Sequence, residues 1–198
     1  EKDYAGLGLD RVLEICSALD GVSDLDYFKI TAGTSAGLPG STHIVPSMAY
    51  ELGYTAPISA SIQTRVSKPV FVAGRINQPQ TAEKILEMGQ AEMCGMTRAL
   101  ISDPEMPLKA RCGDLEDIQA CVACNQACIG HMLQACPISC IQRPETGREL
   151  QYANLSKAPS RKRILVAGGG SAGLKAASIA ARRGHEVILC EKSNALGG

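Results

Sequence analysis

The spacing of hydrophobic positions changes period several times along the chain, and each change marks an element. Over residues 9–20 (LDRVLEICSALD), Leu9, Val12, Leu13, Cys16 and Leu19 share one helical stripe, and Gly21 follows where a helix C-terminus favours it. Residues 27–31 (YFKIT) read as a short strand that runs into a Gly- and Ser-rich loop over 33–42. Ile58, Ile62 and Val66 mark a second helix, closed by Lys68-Pro69. Residues 70–73 (VFVA) are a continuous apolar run bounded by Pro and Gly, as in a parallel strand buried on both faces. Residues 81–89 predict a helix with Thr81 as N-cap and Gly89 as its stop, and 91–95 a further strand. This α-β-α-β-α-β alternation predicts a parallel sheet covered by helices. A doubly wound sheet and a (β/α)8 barrel share that rhythm, and a barrel needs more units than these three.

From Asp103 to Gln151 the rhythm stops. Residues 154–163 (NLSKAPSRKR) are polar and basic and read as an exposed linker. A second α/β segment then begins: a strand at 164–167, a glycine run, an alanine-rich helix over 174–183 and a strand over 186–191.

Composition narrows the function classes. Of 198 residues, 45% are apolar and 20% charged, and the formal net charge is zero. That balance supplies a globular core and gives no basic face for nucleic acid or an anionic membrane. No apolar run approaches the roughly 20 residues of a spanning helix, and no secretory leader opens the chain. The expectation is a soluble, cytoplasmic protein. The chain opens at Glu1 without Met and closes at Gly198 just after the second strand of its last segment, so it reads as an internal fragment.

Nine cysteines are many for this length, and Cys121, Cys124, Cys128, Cys136 and Cys140 fall in one stretch. Disulfides explain an odd count beside cofactor motifs poorly. Cys121, Cys124 and Cys128 can wrap one side of a [4Fe-4S] cube, and Cys140, after eleven intervening residues, returns as the fourth thiolate. Zinc is the competing occupant, but its knuckles usually pair two cysteines with two more at similar spacing. Cys136 and His131 lie in the same stretch and are not assigned as ligands. Cys16, Cys94, Cys112 and Cys190 read as small apolar fillers.

Two strand ends look like anion sites. Gly74-Arg75 and Gly95-Met96-Thr97-Arg98 each follow an apolar strand. Glycine lets backbone N–H groups approach phosphate oxygens, and arginine supplies a charge-assisted fork. In α/β barrels the loops after strands seven and eight commonly hold a phosphate. Further on, Gly168, Gly170 and Gly173 satisfy G-x-G-x-x-G between a strand and a helix, with Ser171 and Ala172 in the turn. Glu191, ending the next strand, stands where an acid accepts hydrogen bonds from an adenosine ribose.

HIVPSM (43–48), VAGRI (72–76), GMTRALISDPEMP (95–107), CVACNQACIG (121–130), ISCIQRPETGRE (138–149) and LVAGGGSAGL (165–174) occur in this order. On these segments the chain resembles the trimethylamine dehydrogenase and 2,4-dienoyl-CoA reductase group of Old Yellow Enzyme-like flavoproteins. The resemblance implies the C-terminal part of an FMN-binding TIM barrel over 1–111 and an iron–sulfur segment over 112–153. After the linker, 164–198 would begin a Rossmann-like domain for FAD or ADP. Arg75 and Arg98, with the backbone around Gly74, Gly95 and Thr97, would hold the FMN phosphate. Cys121, Cys124, Cys128 and Cys140 would ligate the cluster, and Gly168 to Gly173 with Glu191 would hold the dinucleotide. The implied parent enzyme is a homo-oligomer passing electrons between a small organic substrate at FMN and a second carrier, an electron-transfer flavoprotein or NAD(P)H. The wording around GMTRAL and PETGREL leans to oxidative demethylation of a methylated amine. Reduction of an activated C=C bond is the alternative, and an electron-transfer module without its own substrate chemistry is a third. Arg143 departs from the small polar residue many relatives carry there.

Overall fold

The computed structural model describes residues 6–22, 24–152 and 154–197. The sequence readings that rest on Glu1 and Gly198 lie outside the described residues. The chain divides into two compact units, Glu1–Gly147 and Arg148–Gly198.

The first unit is built on three parallel strands, β1 (Phe28–Ile30), β2 (Val70–Ala73) and β3 (Met93–Gly95), neighbours in chain order. The register pairs Phe28 with Val70 and Val72 with Cys94. Helices α1 (Leu9–Asp20), α3 (Ala56–Gln63) and α4 (Pro79–Glu87) connect or flank them. The core lies on the helical side of the sheet. Cys16, Phe28, Ile30, Ile62 and Val70 form one buried cluster; Ala56, Val72, Ile76, Ile85 and Ala91 form the next. The α1 stripe read from the sequence delivers Val12, Leu13 and Cys16 to the first cluster.

Several boundaries differ from the sequence reading. β2 is not buried on both faces: Val70 and Val72 are, whereas Phe71 and Ala73 are half-buried. The second face is partly covered by Tyr27, whose ring stacks on Phe71 at 4.7 Å. The expected loop over 33–42 contains a helix, α2 (Leu38–Ile44). Pro39 preorganises its first turn, and the Ser41 and Thr42 hydroxyls donate to the Leu38 and Pro39 carbonyls. α4 starts at Pro79, two residues before the expected N-cap Thr81, because proline at a first helical position gives up no hydrogen bond. Four helices were not expected: α5 (Thr97–Ser102), α6 (Met106–Cys112) and two short ones over Ile129–Leu133 and Glu149–Tyr152. Cys112 and Cys190 are exposed and are therefore not core fillers; Cys16 is buried.

Beyond α6 lie a 3-10 turn (Leu115–Asp117) and α7 (Ile129–Leu133) in an otherwise irregular segment. Asp103 anchors its start. This carboxylate is 4% exposed and accepts from Lys109 Nζ at 2.6 Å, Gln119 N at 2.9 Å and Glu105 N at 3.1 Å.

The second unit holds α8 (Glu149–Tyr152), parallel strands β4 (Arg163–Ala167) and β5 (Glu186–Cys190), and α9 (Ser171–Arg182) between them. α9 begins three residues earlier than the expected Leu174, so Ser171, Ala172 and Gly173 form its first turn, and Leu174 N–H donates to Gly170 O at 2.9 Å. No helix among the described residues is long and apolar enough to cross a membrane.

Candidate functional site

The C-terminal ends of β2 and β3 open onto a cavity of about 360 Å³. Gly74, Arg75, Gly95, Thr97 and Arg98 all line it, with Val45 and Pro46 from the HIVPSM segment and Asn77 beyond Arg75. Its volume falls in the range of small-molecule sites. Arg75 adopts a left-handed backbone (φ 51°), uncommon without glycine, and its Nε is buried without a partner. A buried guanidinium nitrogen without an acceptor is a position prepared for an anion. Asn77 Oδ1 is likewise buried without a partner, while its Nδ2 donates to Cys121 O at 2.7 Å.

The structure gives Gly74 a reason the sequence did not. A Cβ there would lie 2.2 Å from Thr55 Oγ1, and Thr55 is fully buried with its hydroxyl on Ala73 O at 3.1 Å. Glycine at 74 is therefore demanded from the core side, as well as lining the cavity.

Cys121, Cys124, Cys128 and Cys140 line a second, narrower cavity with Arg98, Ile101, Asn125 and Gln142. Arg98, Ile101, Cys121 and Cys128 line both cavities, so the two adjoin. The loop between the cysteines turns through left-handed residues, Ala123 (φ 55°) and Asn125 (φ 59°). This turns Ala123 N–H onto Cys121 Sγ at 3.3 Å. Burial pushes the Cys121 thiol up, while the Ala123 N–H and the Arg98 charge pull the other way. Gln142 ties the far side of the loop, accepting from Val122 N and donating to Ala120 O. Cys136 is exposed and lies off the cavity, and His131 faces Pro137 O through Nδ1 at 3.1 Å. Among the described residues, no group of three or more His, Cys, Asp or Glu side chains is arranged to hold a metal ion. Arg143 Nε is buried without a partner and lines neither cavity.

In the second unit, Gly168 (φ 105°) makes the turn after β4, and its N–H donates to Cys190 O at 2.7 Å. A Cβ on Gly173 would fall 1.9 Å from Gly168 O, so glycine there permits the close helix–strand approach. Glu191 accepts from Gly169 N at 2.7 Å and Ser193 N at 2.9 Å, and the Gly169 N–H first of all holds its carboxyl below the usual range. It therefore braces the glycine loop.

The sequence reading missed Asn77, Asn125, Gln119 and Gln142 as parts of this region. All are amides whose roles are hydrogen bonds to backbone or Arg98, which spacing alone does not reveal.

Residues 42–116 match the NADH:flavin oxidoreductase / NADH oxidase family, and residues 163–198 match the FAD dependent oxidoreductase family. The chain is 41% identical over 186 residues to a metal reductase of Desulforamulus reducens, covering 92% of this chain and 26% of that protein. It is 34% identical over 196 residues to an N,N-dimethylglycine/sarcosine dehydrogenase of Chromohalobacter salexigens, covering 98% and 28%. Among solved structures, 2-naphthoyl-CoA reductase in complex with 2-naphthoyl-CoA matches with a TM-score of 0.84 and 31% identity, over 96% of this chain and 28% of that one. The chain thus spans about a quarter of the length of the curated relatives it matches. The stretch 42–116 that matches the NADH:flavin oxidoreductase / NADH oxidase family carries both strand ends of the large cavity.

Proposed function

We propose that the chain is the part of an FMN- and iron–sulfur-dependent oxidoreductase in which electrons pass between the two groups. The observation that carries the reading is the shared wall: Arg98, Cys121 and Cys128 line both the cavity at the strand ends and the cavity of four cysteines. Arg75 and Arg98 would hold the FMN phosphate, the first with a buried Nε that otherwise lacks an acceptor. Cys121, Cys124, Cys128 and Cys140 would hold the [4Fe-4S] cluster. An all-sulfur donor set with a backbone N–H on one sulfur suits a cluster, whose potential such hydrogen bonds tune. The flavin supplies hydride and one-electron chemistry when bound; the protein's part is to seat it and keep it beside the thiolates. Gly168 to Gly173 and Glu191 would receive the ADP part of FAD, or ADP itself.

For the whole enzyme we infer electron transfer between a small organic substrate and a second carrier, in the cytoplasm. The dehydrogenase relative supports oxidation of a methylated amine. The metal reductase relative and the solved acyl-CoA reductase support the reductive direction, with electrons arriving from NAD(P)H, as a second reading. The site is tested by replacing each of the five clustered cysteines with serine in the full-length enzyme and assaying iron and acid-labile sulfide. Loss is expected for Cys121, Cys124, Cys128 and Cys140, and retention for Cys136→Ser. A complete cluster in Cys140→Ser, or bound zinc in place of iron in the wild type, overturns the reading.

A further inference from the structure

We propose that Asn125 is a positioning residue that fixes Arg98 between the two cavities, so that one amide sets both flavin-phosphate affinity and cluster potential. The inference rests on the FMN and cluster reading above. Asn125 sits between Cys124 and Cys128, at a left-handed φ of 59°. Its Oδ1 accepts from Arg98 Nη1 at 2.6 Å, and its Nδ2 donates to Val45 O at 2.8 Å. Its backbone carbonyl accepts from Gly130 N at 2.9 Å. One residue therefore ties the cysteine loop to the arginine after β3, to the segment walling the large cavity and to the start of α7.

The arrangement decides where the Arg98 charge rests. A free arginine side chain samples many rotamers, and immobilising it in advance removes that cost from anion binding. The same fixed charge stands beside the thiols, because Arg98 lines their cavity as well. A nearby positive charge favours the more negative, reduced state of a cluster and so raises its potential. Releasing Arg98 should weaken flavin binding and lower the potential together.

Asn125→Gly is the discriminating variant, because glycine adopts φ near +59° freely and only the amide is lost. Asn125→Asp is the second variant, keeping an acceptor for Arg98 and a residue tolerant of this backbone, but adding a negative charge and losing the donor to Val45. In the full-length enzyme, iron, FMN affinity after flavin removal, and the cluster midpoint potential by redox titration are measured. Both variants should keep their iron, bind FMN roughly tenfold more weakly, and titrate at a lower potential, Asn125→Asp the lower of the two. Unchanged potential in both variants overturns the coupling, whether or not FMN affinity moves. A wild type that holds no FMN or no iron overturns the functional reading instead.

Discussion

At the scale of single residues, the glycines divide by the direction from which they are constrained. Gly173 and Gly74 are both excluded from carrying a side chain, the first by the Gly168 carbonyl and the second by Thr55. Gly170 has open space where its Cβ would be, so neighbouring atoms do not exclude a side chain there. Gly74→Ala is expected to destabilise the full-length enzyme by about 1–3 kcal/mol, because Thr55 is buried and hydrogen-bonded and cannot swing aside. The check is thermal unfolding in a double-mutant cycle with Thr55→Ala. The cost of Gly74→Ala should shrink in that background, since the two closest clashing atoms, Thr55 Oγ1 and Cγ2, are gone. Additive effects would mean that Thr55 is not what demands the glycine.

At the scale of elements, legibility followed periodicity. α1, β2 and the β4–α9–β5 unit were readable because apolar residues recur at helix or strand spacing around clear glycine punctuation. α2 was not, since Leu38-Pro39-Gly40-Ser41 has the composition of a loop and is held by side-chain hydroxyls and a close Gly33–Gly40 approach. α5 and α6 were hidden because they are short and meet at Asp103, a buried charge that no hydrophobic pattern announces. The candidate site was legible in its cysteines, arginines and glycines, whose chemistry is tied to spacing, and not in the amides that orient them. Asp103 carries an element-scale prediction. Burial alone would push its carboxyl up, but the Lys109 ion pair and the Gln119 and Glu105 N–H groups outweigh burial and hold it below the usual 3.8. A carboxyl lowered on folding adds stability that is complete above its unfolded-state pKa, and that is lost as pH falls through the folded-state value. Asp103→Asn should therefore cost about 1–3 kcal/mol near neutral pH. The gap between wild type and variant, followed by denaturant unfolding, should stay constant above about pH 5 and close below about pH 4. A gap that instead widened in acid would reverse the assigned shift.

At the scale of the whole molecule, the residues proposed for the two sites fall in separate compact units, which makes the dinucleotide reading testable without disturbing the other site. Glu191 has two duties in the second unit. It braces the loop through the N–H groups of Gly169 and Ser193, and it would face the adenosine ribose. Its carboxyl is held low, so it is anionic at neutral pH. An anion there accepts hydrogen bonds from a free 2′-hydroxyl, and a 2′-phosphate would bring like charges together. The full-length enzyme should therefore bind ADP at least about tenfold more tightly than 2′-phospho-ADP. Glu191→Gln keeps an acceptor for Gly169 while removing the charge, so the loop should hold and the discrimination should fall. Iron and FMN content should not change, because the residues proposed to hold them belong to the first unit. Ligand competition with both nucleotides on wild type and variant makes the measurement. Equal affinities in the wild type would leave Glu191 as a brace of the glycine loop alone, and preference for ADP that survives Glu191→Gln would place the selectivity elsewhere.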